Sequence, residues 1–193
     1  MPGLPRDTDL EERFLAAAWK LLSRDGYEAM TMVHVAAAAG AHQTDIYRRW
    51  PNKVRLATAA LAAHLPPVSE VDTGSLHSDL RAWVEDLAQS WSSPWIDGLI
   101  GAVADLRTDA EAEQIFRRMA EQRGRQLEQA LEQALDRGEI SRMPGKFLLG
   151  DLLEGPLMHR RVFGGSDLGS DYLDTVTLSA YRTLTAAAAA VHD

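Results

Sequence analysis

Apolar residues return every three or four positions along nearly the whole chain, and almost nowhere do they alternate. That period admits helices and excludes most sheets, in which side chains change face at every residue. Leu10, Phe14, Ala17, Ala18 and Leu21 mark one face of a first helix, opened by a Thr8–Glu11 capping box and ended at Gly26. Met32, Val35, Ala36 and Ala39 mark a short second helix, capped by Thr31 and closed by Gly40. A third covers Gln43 to Arg49 and stops before Pro51; a fourth, capped by Asn52, runs to about His64, ahead of Pro66 and Pro67. Further helices are expected over 75–91, from Pro94 to about Leu106, and from a Thr108–Glu111 capping box to Gly138. Two more run from Pro144 to Gly164, bent at Pro156, and from about Ser170 into the alanine run 186–190. DTVTLSAY is the one strand-like stretch, and its spacing fits a helix equally well. The expectation is an all-α chain.

Composition narrows the function. With 193 residues, 46% of them hydrophobic, the chain has material for one or two cores. It has no cysteine, which excludes disulfides, zinc ribbons, iron–sulfur clusters and thiol nucleophiles. No apolar run approaches the roughly 20 residues that span a bilayer. The first fourteen residues carry charges in place of an apolar signal core. A cytoplasmic protein without membrane contact is expected. The net charge is −8, but it is uneven. Residues 1–55 hold eight Lys and Arg against seven Asp and Glu; the remainder holds 12 against 21. An acidic body repels DNA, so a DNA contact would be confined to the locally basic head.

Signals for catalysis are poor. Gly145-Lys146 is followed by Phe147, so no phosphate-binding loop is completed, and Gly164-Gly165-Ser166 lacks the glycine a nucleophile elbow needs. The six histidines form no i, i+4 metal pair. No catalytic residue, metal or cofactor is expected.

Residues 31–53, TMVHVAAAAGAHQTDIYRRWPNK, carry the most information. Two short helices around a tight turn at Gly40 form a helix-turn-helix, in which the second helix enters a major groove about 12 Å wide. Ala36 and Ala39 let the two helices approach closely. Ile46 and Trp50, four apart, anchor the second helix and leave Gln43, Thr44, Tyr47 and Arg48 facing outward. Gln43 has the chemistry to pair with adenine and Arg48 with guanine, although either could hold phosphate alone. Tyr47 suits a phosphate contact, and Thr31 adds a phosphate contact to its capping role.

The pattern Gly26-Tyr27, Thr31-Met32, Ala36-x-x-Ala39-Gly40 and Ile46-Tyr47-Arg48-Arg49-Trp50-Pro51-x-Lys53 resembles the tetracycline-repressor (TetR) family of transcriptional regulators. The specific matches cover about the first third of the chain; the rest is similar in length and helical character. The resemblance implies a three-helix DNA-binding head over residues 1–50 and a larger helical body over 51–193 that binds a ligand and dimerises. It also implies a phosphate contact from Lys53. Departures occur at Ala41, where valine is usual, at His42, where a capping serine is usual, and at Asp45, where threonine or serine is common. His42 caps a helix poorly, although it remains a candidate contact. Asp45 brings negative charge towards phosphates.

The expected partners are therefore a palindromic double-stranded operator, a small-molecule effector and a second copy of the chain. Trp91, Trp95, Phe116, Met119, Met158 and His159 are the candidate lining of an apolar effector pocket. By analogy with the family's four-helix interface, Leu152, Leu157, Val162, Val176, Ala180 and Leu184 are the candidate dimer contacts. The function expected is a repressor released by a small apolar effector. The alternative is an all-α small-molecule-binding protein or enzyme that does not bind DNA.

Overall fold

The computed structural model describes residues 7–66, 71–145, 147–165 and 168–189. The regular elements among them are all helical: α1 (Asp7–Ala29), α2 (Met32–Ala38), α3 (Gln43–Arg49), α4 (Lys53–His64) and α5 (Leu76–Trp91) come first. Then follow α6 (Trp95–Leu106), α7 (Ala110–Asp136), a π-helical turn at Gly150–Glu154, α8 (Gly155–Phe163) and α9 (Ser170–Ala189). They separate into two units. One holds α1 to α4, α6 and α7 through Gln122; the other holds α5, α7 from Arg123, the π-helical turn, α8 and α9.

In the first unit α1 is the hub, with α2, α4 and α6 packed on it. Phe14, Ala18 and Leu22 recur every four residues and are fully buried, so they form a continuous stripe. Gly98 lets α6 come in close at that stripe. A Cβ there would lie 2.6 Å from Leu22 Cγ and 2.9 Å from the Leu22 carbonyl oxygen. Trp19 stacks on His64 of α4 at 6.0 Å and lies 6.3 Å from Trp95 of α6.

In the second unit α5 packs on α9 and on α8. Leu76, Leu80 and Val84 supply the inner face of α5; Leu173, Val176, Ala180 and Leu184 supply that of α9. Asp79 is buried, and its Oδ1 accepts from the Thr73 amide at 2.7 Å and the Thr73 hydroxyl at 2.6 Å. Arg137 stands 3.5 Å from its other oxygen. Glu139 accepts from the Leu76 amide at 2.8 Å, which satisfies a free donor in the first turn of α5.

Two local expectations change, both at helix starts. α1 already includes Thr8, so the first helix starts earlier than its capping box suggests. At α7 the cap is Asp109, not Thr108: Asp109 Oδ1 accepts from the Glu111 and Ala112 amides at 3.1 and 3.0 Å. Thr108 instead donates its hydroxyl to the Asp105 carbonyl at 2.9 Å, because it still belongs to the exit turn of α6. The chain meets Pro156 with the π-helical turn, where the Gly155 amide donates to the Gly150 carbonyl. The wider turn accommodates a proline ring that would otherwise clash with the preceding turn. The strand-like DTVTLSAY lies wholly within α9.

Candidate nucleic-acid interface

Helices of seven residues do not persist alone in water, so α2 and α3 depend on caps and on packing. The Thr31 hydroxyl oxygen accepts from the His34 amide at 3.1 Å and caps α2. The turn to α3 passes through Gly40 at φ 63° and closes with the Ala41 amide donating to the Ala36 carbonyl at 3.0 Å. Arg13 of α1 braces it, donating to the Ala39 carbonyl at 3.1 Å. His42 stands at the N-cap of α3 and makes no side-chain capping bond, as its chemistry suggests. Asp45 in the first turn compensates electrostatically, since a negative charge is favoured at a helix N-terminus.

One face of α3 is fixed inward. Ile46 is fully buried and Trp50 is 8% exposed, with the Trp50 ring edge-on to Phe14 at 6.0 Å. Arg49 folds back as well: its guanidinium donates to the Asp45 carbonyl at 3.1 Å and lies 6.0 Å from the Phe14 ring. His42, Gln43, Thr44, Tyr47 and Arg48 are thereby left exposed, Tyr47 by 49%. The face is polar, one helix wide, and carries donors, acceptors and a cation. Asp45 lies between the two faces, with one carboxylate oxygen 3.9 Å from an Arg48 nitrogen, the outer limit of an ion pair. At such a spacing on an exposed helix the pair contributes little to stability.

Lys53 opens α4 directly after this face. Its ammonium donates to the Tyr27 carbonyl at 3.2 Å and lies 4.0 Å from the centroid of the Tyr27 ring. Gly26 makes this possible. Its φ of 80° and ψ of 175° fall in a region open essentially to glycine alone, and break α1 just before Tyr27. The Tyr27 hydroxyl donates to Asp105 of α6 at 2.7 Å. Burial first, and then this bond, raise the Tyr27 phenol above its ordinary pKa, so it stays a donor.

A second tie holds the start of α4. Asn52 caps α4 by accepting from the Arg55 amide at 3.0 Å, and donates to Asp109 at 2.8 Å. Arg55 donates to both Asp109 oxygens at 3.0 and 2.9 Å and also pairs with Glu111. The Ala112 amide, Asn52 and Arg55 together hold the Asp109 carboxyl well below the usual carboxylate range. Sequence reasoning did not single out the Tyr27–Asp105 contact or the Asp109 ties that hold the start of α4. Tyr27 stands in the family-resembling pattern and Asp109 beside a capping position, but Asp105 carries no local signal.

The other candidates divide between the units. Trp95, Phe116 and Met119 belong to the first, Trp91, Met158 and His159 to the second. Trp91 and Trp95 are buried, while Met158 and His159 stand exposed on α8, His159 5.4 Å from the Phe163 ring. Of the candidate dimer contacts, Leu157, Val176, Ala180 and Leu184 are buried within the protomer. Leu152 is half-buried and Val162 is exposed. Among the described residues, the large apolar side chains exposed on α8 and α9 are Met158, Val162, Phe163 and Leu178. Arg123 of α7 interacts electrostatically with Asp86 of α5 and Glu154 of the π-helical turn. Partial desolvation raises the Glu154 carboxyl pKa and Arg123 opposes the rise, while the residue as a whole stands exposed. Among the described residues no helix is long and apolar enough to cross a membrane.

Residues 14–60 match the model of the bacterial regulatory proteins of the tetR family, and residues 70–180 that of the tetracyclin repressor-like C-terminal domain. A DNA-binding transcriptional repressor TetR of Mycobacteroides abscessus is 38% identical over 156 residues, covering 78% of this chain and 81% of the relative. An uncharacterized HTH-type transcriptional regulator of Mycobacterium tuberculosis is 33% identical over 162 residues, covering 83% and 78%. A crystal structure of a TetR family transcription regulator superposes with a TM-score of 0.68 at 23% identity, covering 90% of this chain and 97% of the other.

Proposed function

The chain belongs to the tetracycline-repressor family of DNA-binding transcriptional regulators, and we propose that it is a homodimeric repressor released from a palindromic operator by a small apolar effector. The observation that carries the reading is the sorting of α3, with Ile46 and Trp50 inward and His42, Gln43, Thr44, Tyr47 and Arg48 outward. Gln43 and Arg48 are the base readers, able to form bidentate pairs with adenine and guanine. Thr31, Tyr47 and Lys53 position the helix on phosphates. The 38%-identical relative's own description as a repressor supports repression over activation.

In this reading residues 1–50 are the DNA-binding domain and residues 51–193 the ligand-binding and dimerisation domain. α4 serves the body by role while packing on α1. The dimer forms through the exposed apolar face of α8 and α9 at Met158, Val162, Phe163 and Leu178. It places two recognition helices one DNA turn apart, roughly 34–36 Å, to engage both half-sites. The effector acts by binding the arrangement with the wrong spacing more tightly. The protein works by binding, not by catalysis.

The test of effector release is a compound screen by tryptophan fluorescence and thermal shift, followed by DNA competition. Apolar aromatic compounds that bind and displace operator DNA are expected, with affinity reduced by Trp91→Ala. Binders that leave DNA affinity unchanged would remove the effector from the mechanism and leave a constitutive DNA-binding protein.

A further inference from the structure

We propose that Tyr27 is the positioning residue of the phosphate contact: it holds the Lys53 ammonium on its ring and carbonyl, and is itself held by Asp105 of α6. The proposal rests on the reading of Lys53 as a phosphate-contacting residue. A free lysine side chain samples many rotamers, and immobilising it costs entropy. Fixing it on a phosphate therefore costs affinity unless the free protein has already restricted it. Two contacts from one residue do this: the carbonyl at 3.2 Å takes one of three N–H donors, and the ring centroid at 4.0 Å faces the charge. Donors remain for a phosphate.

The anchor is held by the packing of α6. Tyr27 is 2% exposed, and Gly101 of α6 comes so close that a Cβ there would lie 3.0 Å from the Tyr27 Cβ. The hydroxyl bond to Asp105 at 2.7 Å fixes the far end of the ring. A phenol donating to a carboxylate is also more electron-rich, which strengthens attraction of a cation to its face. Lys53 is thus tied through one side chain to the end of α6.

The experiment is a double-mutant cycle on the intact protein, reading binding to a labelled mixed-sequence duplex across a salt series at low ionic strength. A phosphate contact acts equally on all sequences, so this probe suffices. Lys53→Ala is expected to weaken binding and flatten the slope of log affinity against log salt by about one. Tyr27→Leu is expected to weaken binding about three- to fivefold when Lys53 is present and to add nothing to Lys53→Ala. Tyr27→Phe and Asp105→Asn keep a ring and a packed side chain, and thermal unfolding checks that each folds. Each should weaken binding about twofold, again only with Lys53 present. Equal losses with and without Lys53 would mean that Tyr27 only supports the fold, and would overturn the positioning role alone. A Lys53→Ala protein with unchanged affinity and slope would overturn the phosphate contact itself.

Discussion

α3 and α8 are both short amphipathic helices, yet only the first declares which side faces inward. In α3 there is one apolar stripe, Ile46 and Trp50, and the structure buries it. Everything else on the helix is polar, so the outer face follows by exclusion. In α8 there are two stripes. Leu157 is fully buried, whereas Met158, Val162 and Phe163 are exposed by 46%, 41% and 77%. A helix with apolar residues on both sides satisfies its own protomer with one face and leaves the other for a partner. Periodicity alone does not say which is which.

The sharpest way to break this comparison is to place charge on each stripe of α8. Leu157→Asp buries an unpaired carboxylate, costs more than about 4 kcal/mol and should yield no folded protein. Val162→Asp with Phe163→Asp should fold normally by circular dichroism and sediment as a monomer. A double variant that remains a dimer would move the interface elsewhere.

Next in size is Trp50→Ala. It removes the ring packed edge-on to Phe14 and should cost about 3 kcal/mol, read as a lower thermal midpoint, with DNA binding lost at the working temperature. Retained stability would mean that α3 is held by something other than its single stripe.

Asp109→Asn should lower the thermal midpoint by a few degrees, because the start of α4 and the cap of α7 both lean on that carboxylate. Its folded pKa is depressed, so its contribution is present above the unfolded value of about 3.9 and is lost as pH falls towards the folded one. The gap between wild type and variant should therefore be constant from neutral pH to about 5 and narrow below about 4. A gap that widens on acidification would contradict the assignment.

The smallest effect concerns Asp45, on the margin between the two faces of α3. Asp45→Thr should tighten binding to random DNA a few-fold, since a charge repelled by phosphates is removed, and narrow the gap to operator. Unchanged affinity for both would leave Asp45 as a helix-start charge near Arg48.

The helices were largely legible because glycine, proline and capping residues punctuate a steady 3.6-residue period. The outward set on α3 was legible for the reason given above. What the sequence concealed were contacts between distant segments. Tyr27 to Asp105 and Arg55 to Asp109 span 78 and 54 positions, and no local pattern announces such pairs. The cap of α7 was misplaced by one residue because Thr108 and Asp109 are both good caps, and only the exit geometry of α6 chooses between them. Met158 and His159 have the chemistry of a pocket lining, but periodicity does not give a helix's rotation, and both stand exposed on α8.

The central claim is that the polar face of α3 reads DNA. The direct measurement is footprinting of the full-length protein on DNA flanking its own gene, beside the double variant Gln43→Ala, Arg48→Ala. Both substitutions are on exposed positions, so the variant should unfold at the wild-type midpoint. The account predicts two protected half-sites about one DNA turn apart for wild type, and their loss in the variant. Protection that survives in the variant, or no protection by the wild-type protein at any salt concentration, would contradict it.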